Sequence, residues 1–361
     1  MSIYIDYHVL QTVPPSCVNR DDMGSPKTAV YGGTVRARVS SQAWKHSMRK
    51  EFKSLFTKEE LGSRTKDVVS LIETEIENLD KSIGKDERHK KAVDALKLAG
   101  IDVKSDKKGE PEKASALFFM SCKQAKAIAE HSIKLDLKAK ESKDILKNDL
   151  KSNPSVDIAL FGRMSASDPT LNYDAAAQVA HAISTHEVQN EYDYFTAVDD
   201  LQKEDNAGAG HLGTIEFNSS TLYRYATVNA SELVKTIGKE DTARIVRNFA
   251  QSFICSMPTG KESTFANRTF PDTVYITIRK DQPVNLCGAF ENPVKRSDEG
   301  YAAASEKELA EYADKVYSRY AAKPVKAFCI GDCFDDTVVS LPLNELLDAL
   351  EKAVSDEINE V

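Results

Sequence analysis

Several marks of common protein classes are missing from the sequence. No apolar run approaches the roughly 18–20 residues needed to cross a bilayer, and the first residues lack the basic and apolar regions of a signal peptide. The six cysteines form no CxxC pair and no zinc-like Cys/His set, which favours a reduced, cytoplasmic setting without a metal or other cofactor. Neither a P-loop nor a GxSxG motif occurs, so the enzyme classes that depend on them gain no support.

The chain is acidic as a whole, with 48 lysines and arginines against 56 aspartates and glutamates and a net charge of −8. By itself, a negative net charge argues against a nucleic-acid binder. The first 56 residues differ, because they carry eight cations and four anions and are therefore +4. A basic face on an acidic body suits a protein that binds a polyanion at one surface.

The N-terminal part alternates in the manner of strands. Residues 3–10 (IYIDYHVL) predict a strand with one buried face. Gly32 and Gly33 separate two short runs and predict a two-residue hairpin turn. In the second run Arg36 and Arg38 are expected on the face opposite to the apolar residues.

The remainder divides by composition. Residues 57–188 are rich in Lys, Glu, Ala and Leu and predict a large helical insertion that ends in a helix over 174–188. Residues 189–216 include a Gly-rich stretch and predict a protruding hairpin or loop. The C-terminal third alternates between helices at 239–256, 304–320 and 343–359 and strands at 273–280 and 325–331. This order predicts an α+β fold with helices on one sheet face, of which a ferredoxin-like, RRM-type sheet is the plausible version.

Residues 19–50 give the strongest local signal for function. Single-stranded RNA needs cations along its backbone and neutral donors between them. The candidates are Arg20 and Lys27 in loops, and Gln42, Lys45 and Arg49 on one face of a helix that Ser40 or Ser41 caps. The start of that helix offers N–H groups to a phosphate. A solvated cationic helix face explains the same pattern, and spacing alone leaves both interpretations open.

Two further positions carry side chains that suit bases. Tyr194 and Phe195 are adjacent aromatics in the protrusion, where they could stack on bases or anchor their own loop. Met164 stands between an apolar run and a polar loop, where methionine more often fills a core. Acidic residues that could bind a metal ion, Asp199, Asp200, Asp332, Asp335 and Asp336, have no accompanying His/Asp pattern, so we expect no enzyme.

Long blocks of the sequence resemble the CasC-type backbone subunit of Cascade from type I-E CRISPR systems. The blocks lie in the same order and cover most of the first 230 residues. They are PSCVNRDD (15–22), YGGTVRARVSSQAWKHSMRK (31–50), VDIALFGRM (156–164), AHAISTHEV (180–188), DYFTAVDDLQ (193–202) and HLGTIEFNSSTLYRYATVN (211–229). Residues 57–150 and those beyond about 290 match loosely.

The resemblance implies an RRM-like palm formed by residues 1–56 and 223–361, connected through 182–188. It also implies a helical fingers insertion at 57–181 and a thumb hairpin at 189–222. Copies would stack in a helical filament along the CRISPR RNA, each thumb displacing one nucleotide of the guide. Target DNA would pair with the guide in antiviral defence. The other partners would be further Cascade subunits and, indirectly, the helicase-nuclease effector, with no membrane and no cofactor.

The resemblance also assigns residue roles. The RNA contacts it implies are Asn19, Arg20, Lys27, Ser40, Gln42, Lys45, Arg49, Met164, Tyr194, Phe195, Thr196 and Lys295. Four lysines of the lysine-rich stretch 134–151 are implied as contacts to duplex DNA: Lys138, Lys140, Lys143 and Lys147. Where a relative has tryptophan this chain has Tyr194, so stacking strength is expected to differ there.

Two other hypotheses stay open at this point. Backbone subunits of related type III complexes cut RNA with an acidic loop residue and a metal ion, and Asp21 or Asp22 would take that role. A stand-alone single-strand-binding protein would instead bind RNA as a monomer without the other Cascade subunits.

Overall fold

The computed structural model describes residues 2–105, 110–196, 212–331, 334 and 338–360. Within them the α-helices are α1 (Ser41–Leu55), α2 (Val68–Leu79), α3 (Lys85–Leu98), α4 (Cys122–Lys134), α5 (Lys140–Lys151), α6 (Val156–Phe161), α7 (Ala230–Ile237), α8 (Lys239–Cys255), α9 (Glu262–Phe265), α10 (Ala302–Arg319) and α11 (Leu343–Asn359). Single 3₁₀ turns lie at Lys58–Glu60, Pro169–Leu171 and Cys287–Phe290. No helix in this part of the chain is long and apolar enough to cross a bilayer.

The strands form one large sheet and two small ones. They are β1 (Tyr4–Ser16), β2 (Thr28–Tyr31), β3 (Thr34–Val39), β4 (Gly62–Thr65), β5 (Val103–Lys104), β6 (Lys113–Ala114), β7 (Phe118–Ser121), β8 (Ala177–Val179), β9 (Ala182–Ser184), β10 (Glu191–Thr196), β11 (Leu212–Asn229), β12 (Thr273–Arg279), β13 (Lys326–Ile330) and β14 (Val339–Ser340). The large sheet has the order β14-β13-β12-β1-β11-β9-β3-β2, with β8 and β10 also paired to β11. The predicted α+β class is confirmed.

The chain divides into two units. The first comprises residues 1–50, 179–227 and 246–361, and the second comprises 51–178 and 228–245. The second unit contains most of the stretch that the sequence predicts as a helical insertion. It also takes in residues 228–245, which the sequence analysis assigned to the palm.

In the first unit β1 is buried on both faces, whereas its alternation predicts one buried face. On one face Tyr7 packs against Phe249 and Phe253 of α8, with ring centroids 5.3 and 6.2 Å apart. On the other face Asp6 and His8 are fully buried as well. A cluster that includes residues of α10 and of the segment 284–290 covers that side of the sheet, so helices lie on both faces of the sheet and not on one.

Arg36 is a further departure from the sequence-based expectation. Arg36 lies in a strand, as the alternation predicts, but its side chain is fully buried and does not contribute to a basic surface. Its guanidinium donates to the carbonyl oxygens of Ser184 at 2.9 Å and Phe290 at 3.0 Å, and to Thr34 Oγ1 at 2.8 Å. These bonds tie β3 to β9 and to the covering segment.

The helix predicted over 174–188 is wrong. The structure has β8 and β9 there, and β9 pairs Ile183 with Tyr223 of β11 and with Arg38 of β3. The alanines of this stretch have high helix propensity, but long-range strand pairing outweighs a preference of a few tenths of a kcal/mol per residue.

The second unit has its own core, formed mainly by α2, α3, α4 and α5. Two small antiparallel pairs, β4 with β7 and β5 with β6, were not predicted from the sequence. Helix α4 begins with a capping box, in which Ser121 Oγ accepts the Gln124 N–H and the Gln124 side chain accepts the Ser121 N–H.

Candidate nucleic-acid interface

The predicted cap of α1 forms a corner with the loop before β2. Ser40 Oγ accepts the N–H of Ala43, and Asn19 Oδ1 accepts the N–H of Ser40 at 2.9 Å. The Asn19 carbonyl accepts the N–H of Lys27 at 2.8 Å. Ser40 is buried and Asn19 is half-buried, so both side chains hold the corner together. The structure thus brings Asn19, Lys27 and Ser40 to one place.

Between Arg20 and Pro26 the loop closes into a tight turn. Asp21 Oδ1 accepts the N–H groups of Met23 and Ser25, both at 2.9 Å, which is a turn-forming role. Arg20 is exposed at the start of this turn. The turn therefore presents a cation beside the corner at Ser40.

On α1 the two predicted faces are present. Trp44 and Met48 are buried, whereas Gln42 is exposed and Lys45 and Arg49 are half-buried. Burial lowers the pKa of Lys45 from its usual value, since desolvation disfavours the charged form. Gln42, Lys45 and Arg49 all keep part of their side chains exposed, and the prediction of an RNA-contacting face requires this exposure.

Arg38 and His181 add polar groups that the sequence analysis did not assign to the site. Arg38 Nη1 lies 3.2 Å from His181 Nδ1, and Arg38 Nε donates to the Thr28 carbonyl. Burial lowers the pKa of His181, and the nearby charges of Arg38 and Lys27 lower it further. The signal available in the sequence was strand parity, which places Arg38 on the opposite side from Val39 but says nothing about His181.

The predicted hairpin arm is β10, whose six residues are all exposed. It pairs with β11 in a register that places Tyr194 opposite Thr214 and Phe195 opposite Gly213. Tyr194 is 73% exposed and Phe195 is 44% exposed, with the Phe195 ring lying over Gly213. Thr196 ends the described arm, and residues 197–211 lie outside the described part of the chain.

Met164 projects from the second unit. It is 81% exposed, so the interpretation of Met164 as core filler is wrong. Gly162 precedes it with φ +77°, and the side chain of Arg163 between them is buried. The turn thus points an apolar side chain into solvent.

The remaining predicted residues are dispersed. Lys295 is exposed in the first unit, and Lys138, Lys140 and Lys143 are exposed in the second. Lys147 differs, because its Nζ forms an ion pair with Asp168 at 2.5 Å. That pairing holds the pKa of Asp168 below its usual value. Lys147 is therefore engaged within its own unit, unlike the other three lysines.

Among the described residues no three His, Cys, Asp or Glu side chains converge to hold a metal ion. The acidic candidates Asp199, Asp200, Asp332, Asp335 and Asp336 lie outside those residues.

The fold and the site together define an α+β protein with a large sheet, an exposed hairpin arm and a polar corner lined by cations. The sequence model of the CT1975-like protein family matches residues 5–352, and the chain belongs to that family. No curated protein matches with statistical significance.

Two solved structures are similar over almost the full length. A chain of a "CRISPR RNA-guided surveillance complex, pre-nicking" has 31% identity and a TM-score of 0.85, covering 97% of this chain and all of that one. A chain of a "CRISPR RNA-guided surveillance complex" has 26% identity and a TM-score of 0.70, covering 97% and 99%.

Proposed function

We propose that this protein is a non-catalytic backbone subunit of a CRISPR surveillance complex of type I-E, and that it binds the guide RNA. The observation that carries the proposal is the likeness to a chain of an RNA-guided surveillance complex over 97% of the sequence. The exposed hairpin arm and the cationic corner supply the groups that such a role needs.

The palm is assigned to an RRM-like sheet. Strands β12, β1, β11 and β9 lie side by side in that order, which is the order of strands 4, 1, 3 and 2 in a βαββαβ unit. Helices α1 and α8 fall at the two helical positions of that unit in the chain.

The sheet face itself is not the proposed RNA platform. In a typical RRM, aromatic side chains on the sheet stack against bases. Here Tyr223, Tyr225 and Tyr275 are buried under the segment 284–290 and α10. The proposed track therefore runs along the corner at Asn19 and Ser40 and the face of α1.

Assembly follows from the exposed arm. Tyr194, Phe195 and Thr196 of one copy would reach the guide on the neighbouring copy and displace one nucleotide, while Met164 packs against the bases beside it and Lys295 supplies a further cation. The segments between displaced nucleotides stay free to pair with target DNA. Lys138, Lys140 and Lys143 are proposed to contact duplex DNA, whereas Lys147 is not, because it forms an ion pair with Asp168.

A salt titration of RNA binding tests the proposal. Lys45→Ala combined with Arg49→Ala should weaken binding of a guide-length RNA and reduce the slope of log K against log salt by about 0.7 per lost phosphate contact. The matched control is Lys50→Ala combined with Lys307→Ala, which removes the same charge from exposed positions off the track. Equal slopes for the two double variants would refute the RNA-binding role of α1.

Two alternatives have their own tests. Asp21 and Asp22 would support RNA cleavage only if Mg²⁺ and complementary RNA gave regularly spaced cuts that vanish in Asp22→Ala. Since the Asp21 carboxylate already accepts two backbone N–H groups, we expect no cuts. A stand-alone RNA binder would keep a monomer mass with guide RNA, whereas a backbone subunit forms larger particles that grow with RNA length.

A further inference from the structure

The segment from Ser256 to Phe270 borders the loop that carries Asn19 and Arg20. At Gly260 a Cβ atom would lie 2.1 Å from the carbonyl oxygen of Val18, which no side chain could tolerate. Only glycine lets the two backbones approach this closely. Gly260 and residues 18–24 line one concave surface. The segment is therefore fitted directly against the loop proposed to contact the guide.

Further contacts hold the segment in place beyond Gly260. The Phe265 ring packs against the Phe217 ring of β11, with centroids 5.8 Å apart. The Thr269 carbonyl accepts from Gln11 Nε2 at 2.9 Å, and Thr269 Oγ1 donates to the Thr12 carbonyl at 2.8 Å. Side chains on this segment therefore have a fixed position relative to the loop.

Lys261, next to Gly260, has a backbone conformation that is unusual for a lysine. Its φ is +51°, and Ala266 at the other end of α9 has φ +47°. Residues with a Cβ atom seldom adopt this left-handed region, and they keep it only where the surrounding structure imposes it. The close approach of Gly260 to Val18 fixes the position of the Lys261 backbone relative to the loop 18–24.

The charges of Arg20 and Lys261 act on the same spot. Burial raises the pKa of the Cys17 thiol, and Arg20 and then Lys261 oppose that rise, while Asp21 and Glu216 add to it. Neither cation forms a side-chain hydrogen bond or ion pair with any residue that the structure describes. Two cations thus lie beside one concave surface that Asp21 and Asp22 also line, and neither cation is ion-paired with these carboxylates.

We propose that Lys261 is a further RNA-binding residue, which together with Arg20 holds the phosphodiester backbone of the guide across the surface between Gly260 and the loop 18–24. The inference rests on the proposed function, since it adds a residue to the same track. The ligand group is a phosphate of the RNA backbone. The compact ammonium group of Lys261 and the planar guanidinium of Arg20 both donate hydrogen bonds to phosphate oxygens.

Charge and backbone effects at this position are separable with three variants of the full chain. Lys261→Gln removes the charge, Lys261→Arg keeps it, and Lys261→Gly removes the charge while relieving the left-handed strain. We expect the Gln and Gly variants to bind a guide-length RNA more weakly and with a salt slope lower by about 0.7, while the Arg variant stays near the parent chain. The Gly variant should nevertheless be at least as stable to heat as the parent chain.

The outcomes distinguish this inference from the proposal beneath it. If Lys261→Gln keeps the parent affinity and slope while Lys45→Ala combined with Arg49→Ala loses both, Lys261 is not on the track and the proposed function stands. If the Gln variant is weak but the Gly variant binds normally, the backbone and not the charge is responsible, and the inference is wrong. If none of these variants changes binding, the proposed function itself fails. Lys307→Gln is the charge-matched control: it alters the general repulsion by one charge and should change the slope by far less than the value of about 0.7 expected for a lost phosphate contact.

Discussion

Arg163 gives the sharpest test of how the second unit presents Met164. Its guanidinium makes five hydrogen bonds within a buried pocket. Two go to the Leu171 carbonyl at 2.8 and 3.0 Å, one to the Leu150 carbonyl at 2.7 Å, and two to the Phe119 carbonyl and Gln124 Oε1 at 3.1 Å. The arginine thus joins β7, α4, α5 and the turn after Met164. We expect Arg163→Met to destabilise the second unit, because methionine fills much of the volume but donates no hydrogen bond.

The magnitude follows from two opposing effects. Loss of the guanidinium withdraws donors from four buried acceptors. At about 2 kcal/mol each for the Leu171 and Phe119 carbonyls, and about 1 kcal/mol each for the Leu150 carbonyl and Gln124 Oε1, which keep another donor, this destabilises by about 6 kcal/mol. Methionine avoids the desolvation of a buried charge, which lowers the pKa of Arg163 to about 10 and corresponds to roughly 3 kcal/mol. The difference is a loss of about 3 kcal/mol in the free energy of unfolding.

Urea unfolding followed by far-ultraviolet circular dichroism measures this difference by linear extrapolation. Met164→Ala is the matched control, because an 81% exposed side chain should contribute within about 0.5 kcal/mol. The two variants should therefore separate, with Arg163→Met losing stability and Met164→Ala losing only RNA contacts. A loss below about 1 kcal/mol for Arg163→Met would show that the pocket relaxes around methionine and that the buried arginine does not position the turn.

Two further predictions concern the first unit. Burial lowers the pKa of His8 to about 3, so as pH falls the unfolded chain takes up the proton before the folded chain does. The free energy of unfolding therefore decreases as pH drops from about 6.5 toward 3. At roughly 1.4 kcal/mol per pKa unit, the loss is at most about 5 kcal/mol. His8→Phe should remove this acid sensitivity in urea titrations. The effect of Asp6, whose pKa burial raises to about 6, would remain and has the opposite sign, since it favours the folded state at lower pH. A pH profile of stability that His8→Phe leaves unchanged would contradict the prediction. Tyr194→Ala should weaken guide binding by about 1–3 kcal/mol through lost stacking without changing stability, whereas Tyr192→Ala, nearer the base of the same exposed strand, should not. Equal losses for both tyrosines in a binding titration would show that the arm acts through its surface as a whole.

Elements with strong periodicity could be predicted from the sequence. Helix α11 has the predicted bounds, 343–359, and the hairpin turns at Gly32 and Gly33 with φ +57° and +78° as the two-glycine signal requires. In both cases the pattern is local: an apolar stripe at helical spacing, and two residues free to adopt positive φ. Local patterns of this kind survive because nothing distant in the chain overrides them.

The features that could not be predicted from the sequence depend on contacts between residues far apart in the chain. Parity placed Arg36 opposite the apolar face of β3, but only the return of the chain at Phe290, about 250 residues later, buries it. Asn19 was expected to touch RNA, and the structure shows it bonded to Ser40 across 21 residues. Lys261 had no sequence signal, because a lysine in left-handed backbone runs against its own preference. Arg36 and Asn19 each depend on a partner that spacing cannot identify, and Lys261 depends on the close approach of Gly260 to the Val18 carbonyl.

Four buried arginines take no part in the charge of the surface. Arg36, Arg163, Arg224 and Arg279 are each at most 4% exposed, and the Arg224 guanidinium lies 3.8 Å from the centre of the Trp44 ring. Their charges are held inside the protein, but the carboxylates of Asp6, Asp149, Asp157 and Glu357 are buried as well, so the surface stays about as negative as the formal −8 indicates. The proposed RNA track must therefore attract phosphate locally while the rest of the surface repels it. Added salt weakens the attraction and also screens the repulsion, so a measured slope combines both effects. A surface lysine such as Lys307 separates them, because replacing it alters the repulsion by one charge and leaves every proposed phosphate contact in place.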